Sequence, residues 1–333
     1  MGTIIDISAS HKTAIGCSKI AQALGMSRWG TAFELWAQLT GRQPWPDLGN
    51  HLRVALGEPM EDVLRPFVAE RLGGTLTRDR REYRHPDLPL VGHVDYRLSR
   101  DAEAVVELLG GPASKRPVAD MKTSLGHGAR HRFGEDGTDE VDADVLLQMQ
   151  GYMLLTGAEV AFVAALVPGP DLKIYPIRAD LELQHLIREG VMRFWNCVQT
   201  DTPPDPTTEA DARQRWTRHT AGKVIEVDPA TAALLRDFAA VKARLRAVEA
   251  EEKAIRDTLI PQLQDADSII FNGASLATFR ANKDSIRVNW EGLSTRLLDD
   301  VDEETRAAWL ADFTETRPGP RVLRLARGLE ANS

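Results

Sequence analysis

The fold is decided by two stretches, Leu90-Val-Gly-His-Val-Asp-Tyr-Arg-Leu98 and Pro117-Val-Ala-Asp-Met-Lys-Thr123. Both have the composition of β-strands, yet both carry charged residues where a buried strand should be apolar. Side chains alternate between the two faces of a strand, so Asp120 and Lys122 share one face and Met121 points to the other. Burying charge is costly unless it is paired or binds a metal. The two stretches therefore predict a polar site inside a sheet.

The chemistry of this site depends on Asp95 in the first stretch and on Asp120 and Lys122 in the second. Two carboxylates that converge on Mg²⁺, with an ammonium alongside, suit phosphodiester hydrolysis. The metal would polarise the phosphate and lower the pKa of its bound water, while the lysine orients or helps to deprotonate that water. The alternative is an Asp–Lys ion pair on an edge strand, because Asp-x-Lys also occurs by chance. The motif alone leaves both interpretations open.

The segments around these stretches alternate between helical and strand-like periodicity. Near the start, Ser18 is predicted to cap a helix that ends at Gly25, and Thr31-Ala-Phe-Glu34 has the form of a capping box. A further strand is predicted at Ala104–Leu109, and Gly110-Gly-Pro112 marks the connection after it. The other elements predicted here are helices at 58–72, 142–156 and 180–200 and strands at 161–167 and 173–177. This order predicts an α/β fold with a mixed sheet flanked by helices.

The last third of the chain has a different character. Pro203-Pro-Asp-Pro206 is a linker candidate, since that much proline cannot continue a helix. A long charged helix is predicted at about 229–264, followed by a hairpin at Ser268–Arg280 with Asn272-Gly273 as its turn. The sequence thus predicts a core at residues 1–206 and a helical and hairpin extension at 207–333.

Composition excludes several classes of protein. The 333 residues are 43% hydrophobic and 27% charged, as in an ordinary globular protein. No apolar run approaches the roughly 20 residues of a membrane span, and the N-terminus lacks a signal-peptide pattern, so a cytoplasmic protein is expected. Two cysteines, Cys17 and Cys197, are too few for a disulfide framework or a four-thiolate zinc site. The net charge of −8 argues weakly against a protein that coats DNA, but an enzyme can hold DNA in a local channel.

Two further polar residues could belong to the site. Glu61 lies at the margin of the apolar stripe of the 58–72 helix, where it could reach a metal through water or simply be solvated at the helix rim. Gln148 lies with Val145 and Tyr152 on one face of the 142–156 helix. It could hold Lys122 or a water, or it could be a core amide bonded to the backbone.

Taken in order, these segments resemble the YqaJ-type viral recombinases, relatives of phage lambda exonuclease within the PD-(D/E)XK nuclease superfamily. Each piece alone is weak, whereas the ordered set across about residues 15–200 is fairly specific. The matching motifs are Ile15-Gly-Cys-Ser18-Lys-Ile-Ala21, Leu24-Gly-Met-Ser-Arg-Trp29, Phe33-Glu-Leu-Trp36, Thr40-Gly-Arg42, Gly57-Glu-Pro-Met-Glu61, His93-Val-Asp95, Asp120-Met-Lys122-Thr123, Gln148-Met-Gln150 and Thr156-Gly157.

The resemblance implies a restriction-endonuclease-like core and Mg²⁺-dependent hydrolysis of linear duplex DNA from a 5′ end, with Mn²⁺ able to substitute. It assigns metal ligation to Asp95, to Asp120 and to the backbone carbonyl of Met121, with Glu61 in a supporting or second-metal role. It assigns Lys122 to the nucleophilic water, with Gln148 assisting. These six residues are the expected catalytic and metal site.

The resemblance also implies contacts to DNA and to other proteins. Ser18 would contact the terminal phosphate, and Lys12, Arg28 and Gln150 would also contact DNA. The family usually has an arginine several residues before the serine, where this chain has His11-Lys12, and Lys12 still supplies charge. The implied partners are double-stranded DNA ends and a single-strand annealing protein. Relatives form ring-shaped trimers, so a homo-oligomer is also expected.

Three functions follow from these observations. The first is a 5′-to-3′ exonuclease that leaves a 3′ single strand for phage-type recombination. The second keeps the fold but cuts internally, as an endonuclease or structure-specific nuclease. The third is a non-catalytic adaptor that binds DNA ends, which the intact set of two acids and a lysine argues against. Comparison of linear with closed circular substrate would separate the first two.

Overall fold

The computed structural model describes residues 13–47, 52–124, 132–169, 171–299, 301–315, 319 and 322–325, without the side chains of residues 53, 54 and 58. The predicted DNA contact Lys12 lies outside these residues. The chain divides into two compact units, Met1–Arg215 and Trp216–Ser333. The predicted site residues fall in the first unit.

Two sheets form the first unit. Their strands are β1 (Ile15–Gly16), β2 (Leu76–Arg78), β3 (Glu82–Arg84), β4 (Leu90–His93), β5 (Tyr96–Leu98), β6 (Val118–Thr123), β7 (Val160–Val167) and β8 (Asp171–Arg178). A five-stranded sheet has the spatial order β2-β5-β6-β7-β8, and a three-stranded sheet has the order β1-β4-β3. β6 and β7 run parallel, while β2–β5, β5–β6 and β7–β8 are antiparallel. The predicted α/β class with a mixed sheet is confirmed.

The described helices of the first unit flank these sheets. They are α1 (Ile20–Ala23), after a 3-10 helix at Cys17–Lys19, α2 (Ala32–Leu39), α3 (Leu52–Ala55), α4 (Gly57–Arg71), α5 (Glu103–Leu109), α6 (Ala143–Thr156), α7 (Leu181–Gln199) and α8 (Glu209–Arg215). The helices predicted at 58–72, 142–156 and 180–200 are confirmed as α4, α6 and α7. Gly157 ends α6 because its φ of 68° is the left-handed conformation that glycine adopts without strain.

The sequence interpretation was wrong at two segments. Leu90–Leu98 is not one strand, because the chain bends at Asp95 and β4 and β5 join different sheets. Ala104–Leu109 is not a strand but belongs to α5. Gly110, with a φ of 78°, supplies the left-handed residue that ends this helix.

The N-terminal caps gave a mixed result. The Thr31 hydroxyl accepts a hydrogen bond from the backbone N–H of Glu34 at 3.0 Å, so the predicted cap of α2 is confirmed. Ser18 caps no helix: it lies inside the 3-10 helix and its side chain is exposed. The hydroxyl of Ser18 is therefore directed to solvent rather than to a helix end.

Apolar side chains pack on both faces of the five-stranded sheet. On β6 and β7 the alternation separates them into two clusters, since Val118 and Val163 belong to one cluster and Ala119 and Phe162 to the other. A strand that is buried on both faces is apolar nearly throughout, as β7 is. Asp120 and Lys122 are therefore polar exceptions at the centre of a packed unit.

The second unit contains long and exposed elements. They are α9 (Pro229–Leu263), β9 (Ser268–Phe271), β10 (Ala274–Thr278), α10 (Trp290–Asp299) and α11 (Glu303–Asp312). The predicted long helix and hairpin are confirmed, and positive φ angles at Asn272 and Gly273 form the predicted turn. Ala239 is the one hydrophobic side chain that is buried among the described residues of this unit. None of the helices in the described part of the chain is long and apolar enough to span a membrane.

Candidate active site

The bend between β4 and β5 places Asp95 beside β6. β5 and β6 are antiparallel, with Tyr96 opposite Ala119. One residue further along this register, Asp95 falls opposite Asp120. Opposed side chains in such a pair have Cβ atoms about 5 Å apart. The register of the sheet thus brings together two carboxylates that are 25 positions apart in the sequence.

Asp120 is completely buried, with no exposed surface. Among the described residues, no donor makes a hydrogen bond of suitable geometry to either of its carboxylate oxygens. The Nζ of Lys122 lies 2.7 Å from Oδ2, which gives an ion pair without the alignment of a hydrogen bond. Buried polar atoms are nearly always hydrogen-bonded, so these two oxygens are suited to binding a cation.

Asp95 is strongly affected by its surroundings. Burial raises the pKa of its carboxyl to about 9, and the nearby Asp120 carboxylate adds to the increase, while the ammonium of Lys122 opposes it. Two carboxylates in one buried site do not both ionise readily. A divalent cation between them would reverse this effect and hold both in the charged form.

Lys122 stands between the carboxylates and α6. Burial lowers the pKa of its ammonium, but the carboxylates of Asp120, Asp95 and Glu61 together raise it more, so the net pKa is above its ordinary value. Lys122 is therefore a cation in this site, and about a quarter of its side chain is exposed. A charged, partly exposed ammonium can donate to a phosphate or to a water at the site.

Gln148 connects Lys122 to the core of α6. The Nζ of Lys122 donates to Oε1 of Gln148 at 3.3 Å, and Nε2 of Gln148 donates to the hydroxyl of Tyr152 at 2.9 Å. Burial raises the pKa of Tyr152 well above its ordinary value, so the phenol stays protonated. The amide is thus held at both ends, and it fixes the position of the ammonium.

Glu61 lies at the margin of the group, on α4. Its negative charge raises the pKa of both Asp95 and Lys122, which places it within electrostatic reach of the pair. Arg78 on β2 lies 3.7 Å from its carboxylate, and the same guanidinium contacts Asp62 at 3.1 Å. Glu61 is therefore shared between the site and a surface arginine.

The carbonyl of Met121 faces the same place as the carboxylates. The N–H of Leu98 donates to the carbonyl of Pro117, so that carbonyl points toward β5. Backbone direction alternates along a strand, so the carbonyls of Ala119 and Met121 point the same way. Pairing of β5 with β6 ends at Ala119, because the chain bends at Asp95. The Met121 carbonyl therefore points to the gap that this bend opens in the sheet.

The donor set is all oxygen, as Mg²⁺ prefers. It comprises two carboxylates and a backbone carbonyl, with Glu61 nearby. No group of three or more histidine, cysteine, aspartate or glutamate side chains is gathered closely enough to hold a metal within the described ranges. The candidate centre consequently depends on two side chains and one main-chain oxygen, a set that leaves room for water and phosphate ligands.

Comparison with known proteins shows what this chain resembles. The model of the YqaJ-like viral recombinase domain matches residues 8–159. This part of the chain is similar to the YqaJ-like family. A curated relative, the uncharacterised protein YqaJ of Bacillus subtilis, is 22% identical over 265 residues, which is 77% of each chain. The resemblance stated from the sequence is confirmed.

Two solved structures also overlap with this chain. The alkaline exonuclease LHK-Exo of Laribacter hongkongensis is 13% identical, with a TM-score of 0.42 over 58% of this chain and 92% of its own. A phage-related exonuclease of Haemophilus somnus 129PT is 16% identical, with a TM-score of 0.41 over 56% of this chain and 96% of its own. The likeness to the YqaJ-like family is carried by the domain match, not by these overlaps.

The predicted DNA contacts of this chain fall into two groups. Ser18 and Arg28 have exposed side chains and can meet a ligand. Gln150 is not at the surface: it is 1% exposed, donates to the carbonyl of Arg178 at 2.8 Å and accepts from the backbone N–H of Asp180 at 3.1 Å. The DNA contact predicted for Gln150 is corrected to a structural role, because its amide is used in joining α6 to the start of α7.

The sequence interpretation missed two residues of the site. Tyr152 anchors Gln148, and Cys17 and Tyr152 both pack against Gly92, where an added Cβ would lie 2.9 Å from each. Arg78 contacts Glu61. The spacing of Tyr152 four residues after Gln148 was a usable signal, since such residues are neighbours on a helix. Arg78 had no such signal, because its contact depends on how β2 packs beside α4.

Proposed function

We propose that this chain is a metal-dependent deoxyribonuclease that degrades linear duplex DNA from its ends. The YqaJ-like family is related to the lambda-exonuclease-like nucleases, which supports a nuclease. The geometry adds a site with the charges that phosphodiester hydrolysis needs. The single observation that carries the proposal is the fully buried carboxylate of Asp120, which is paired with Lys122 at 2.7 Å and lies beside Asp95.

The residues proposed to hold Mg²⁺, or Mn²⁺ in its place, are Asp95, Asp120 and the carbonyl of Met121, with Glu61 close enough to bind through water. When bound, the ion would polarise the scissile phosphate and lower the pKa of a water. The donors fit, because Asp120 is buried beside a second carboxylate and its one ion pair in the described part of the chain is to Lys122. A cation would also offset the repulsion that raises the pKa of Asp95.

Lys122 then acts on the attacking water and the phosphate, and Gln148 acts through Lys122. The ammonium of Lys122 donates hydrogen bonds and neutralises charge that develops on the phosphate oxygens. In the metal-free chain the neighbouring carboxylates raise the pKa of Lys122, which favours an ammonium that orients the water and stabilises the phosphate. Gln148 is a positioning residue, since it contacts Lys122 and not the reacting atoms.

The direction and the biological role are proposed from the resemblance. A 5′-phosphate would be held by the exposed Ser18 and by Arg28, and hydrolysis would proceed from the 5′ end. The product would be a 3′ single strand, the substrate of an annealing protein in phage-type recombination. Arg28 stands over the ring of Trp29 at 5.5 Å, an arrangement that suits a DNA end with exposed bases.

The test is degradation of duplex DNA in the presence of Mg²⁺. The substrates are linear duplex with a 5′-phosphate, linear duplex with a 5′-hydroxyl and closed circular duplex, each labelled at either the 5′ or the 3′ end where it has ends. We expect wild type to degrade linear DNA, to release the 5′ label first and to leave circles intact. The variants Asp120→Asn and Lys122→Ala should be inactive.

Matched controls separate the site from general damage to the protein. Asp101→Asn and Lys115→Ala make the same chemical changes at exposed positions and should keep full activity. Cleavage of closed circles would replace the exonuclease with an endonuclease of the same fold. Binding of DNA ends without hydrolysis in any metal would favour the adaptor. Activity that survives in Asp120→Asn would overturn the assignment of the site.

A further inference from the structure

The long helix α9 carries an apolar repeat of seven residues. Apolar side chains recur along it at alternating intervals of four and three, the signature of a coiled-coil seam. In heptad notation the a positions are Thr231, Phe238, Leu245, Glu252 and Leu259, and the d positions are Leu234, Val241, Val248, Ile255 and Gln262. Seven of these ten positions are apolar, and they span four heptads.

This seam is exposed in the single chain. Its apolar members are between 41% and 67% exposed. The helix is 35 residues long, and the described part of its unit has a single buried hydrophobic side chain, Ala239. An ordered helix with so little burial does not offset its conformational entropy. The helix therefore needs a partner along the seam.

The charges beside the seam indicate what that partner is. In a parallel coiled coil, each g residue meets the e residue five positions later on the neighbouring helix. In two identical helices set side by side in register, the three such pairs that carry charge are all of opposite charge: Asp237 with Lys242, Arg244 with Glu249, and Glu251 with Arg256. The seam is thus complementary to a second copy of itself.

We propose that copies of this chain associate through a parallel, in-register coiled coil formed by α9. Lys242 already lies 5.5 Å over the ring of Phe238, covering the edge of the seam as an e residue does. The proposal goes beyond the nuclease activity and does not depend on it, because α9 lies in the second unit and the candidate active site in the first.

The residues at the a and d positions also indicate the number of strands and the stability of the assembly. Leucine at a combined with isoleucine at d favours three or four strands over two, and α9 has this combination at Leu259 and Ile255. Glu252 interrupts the apolar layers and pairs with Arg256 on its own helix at 3.3 Å. Such a polar layer lowers the stability of the assembly. Replacing Glu252 with leucine should therefore strengthen it.

An antiparallel pairing is the closest rival. Two antiparallel copies that overlap over the whole of α9 would oppose Lys242 with Glu249 and Arg244 with Glu251. Asp237 and Arg256 would then face the uncharged Thr258 and Leu235. The contact between Asp237 and Lys242 exists only in the parallel arrangement, so it discriminates between the two.

The first experiment measures the molar mass of the full chain by light scattering across a concentration series. Wild type should form a defined multiple of 36.8 kDa. Leu245→Gln with Ile255→Gln should reduce the mass to that of one chain, and Glu252→Leu should preserve assembly to lower concentrations. The control pair Ala247→Gln with Ala254→Gln adds the same groups at exposed c positions and should behave as wild type.

The second experiment tests direction with a charge swap. Asp237→Lys alone and Lys242→Glu alone should each weaken assembly, and the double variant should restore it. Neither change adds a like-charge pair within the helix: position 237 has no charged neighbour three or four residues away, and Glu at 242 would pair with Arg246. Arg236→Glu, on the opposite side of the helix, should have no effect.

Three results would contradict the proposal or its parallel register. A wild-type chain that stays single at every concentration overturns the proposal. An assembly that survives Leu245→Gln with Ile255→Gln also overturns it, because the contact then lies elsewhere. Failure of the double charge swap to restore assembly overturns the parallel register.

Discussion

The two compact units of this chain place charge and apolar surface in opposite ways. In Met1–Arg215 a carboxylate and an ammonium interrupt a sheet that is packed on both faces. In Trp216–Ser333 the apolar side chains of α9 lie outside. The first unit thus buries charged groups that are usually solvated, and the second exposes apolar side chains that are usually buried.

Each of these two features indicates a binding partner: a cation for the buried carboxylates and a second helix for the exposed apolar side chains. Two buried carboxyl groups that share a single ammonium leave room for a further cation. An exposed apolar seam of four heptads requires another helix. Single local violations of this kind are expected where a protein functions, because stability is given up there for binding. The comparison therefore yields testable differences between the units.

The largest expected effect separates function from stability within the first unit. Asp120→Asn should lower Mg²⁺-dependent nuclease activity on the order of 10³-fold, equivalent to about 4 kcal/mol. Its metal-free melting temperature should stay the same or rise, because a buried charge is removed. End-labelled degradation assays and thermal unfolding in chelator measure the two quantities. A parallel loss of activity and stability would show that Asp120 is structural.

The next effect compares the units directly. Leu147→Ala, at a buried position of α6, should reduce the free energy of unfolding by about 2–5 kcal/mol. Leu245→Ala, at an exposed position of α9, should change it by no more than about 0.5 kcal/mol when single chains prevail. Denaturant titrations at low protein concentration check both. Equal losses would contradict the contrast between the units.

A smaller effect concerns pH. The carboxyl of Asp95 has a pKa of about 9 in the folded chain, against an ordinary value of 3.8. Between these values the folded state holds a proton that the unfolded state releases, so metal-free stability falls as pH rises from about 4 to about 9. Asp95→Asn removes this dependence.

The variant should gain at least about 5 °C over wild type at pH 8 and little at pH 4. Melting curves recorded in chelator across this range give the result. Added Mg²⁺ should then stabilise wild type and not the variant, since binding to the folded state alone raises its stability. A constant difference between the two proteins at all pH values would exclude a perturbed carboxyl.

The smallest effect concerns the positioning of Lys122 by Gln148. Gln148→Ala should reduce kcat by about 10–100-fold, the usual result of losing an outer partner of a catalytic group. KM for DNA should change little, because Gln148 does not meet the substrate. Gln148→Glu should restore part of kcat by accepting from Lys122. Full activity in Gln148→Ala would mean that Lys122 is positioned by its carboxylate partner alone.

Much of the fold follows from the sequence because its signals are local. The helical spacing before Gly157, the Thr31 cap and the Asn272-Gly273 turn each identify an element from a few residues. Ala104–Leu109 was assigned the wrong type because a short apolar run suits a strand or a helix equally. The Gly110 that ends it was the signal for a helix.

The site was predictable in part for the same reason. Asp120 and Lys122 were recognised by alternation along one strand, and Asp95 by its place in a second. The bend at Asp95 was not recognised, because it arises where β4 and β5 join two different sheets. Gln150 was misassigned because its burial is set by the start of α7, which no spacing within α6 reports.

The most direct test of the central claim is binding of Mn²⁺ to the protein without DNA. Binding is measured as the decrease in the electron paramagnetic resonance signal of the free ion. The account predicts a binding site in wild type that disappears in Asp120→Asn and persists in the matched Asp101→Asn. Equal binding in all three proteins would contradict it, because the buried carboxylates would then hold no cation.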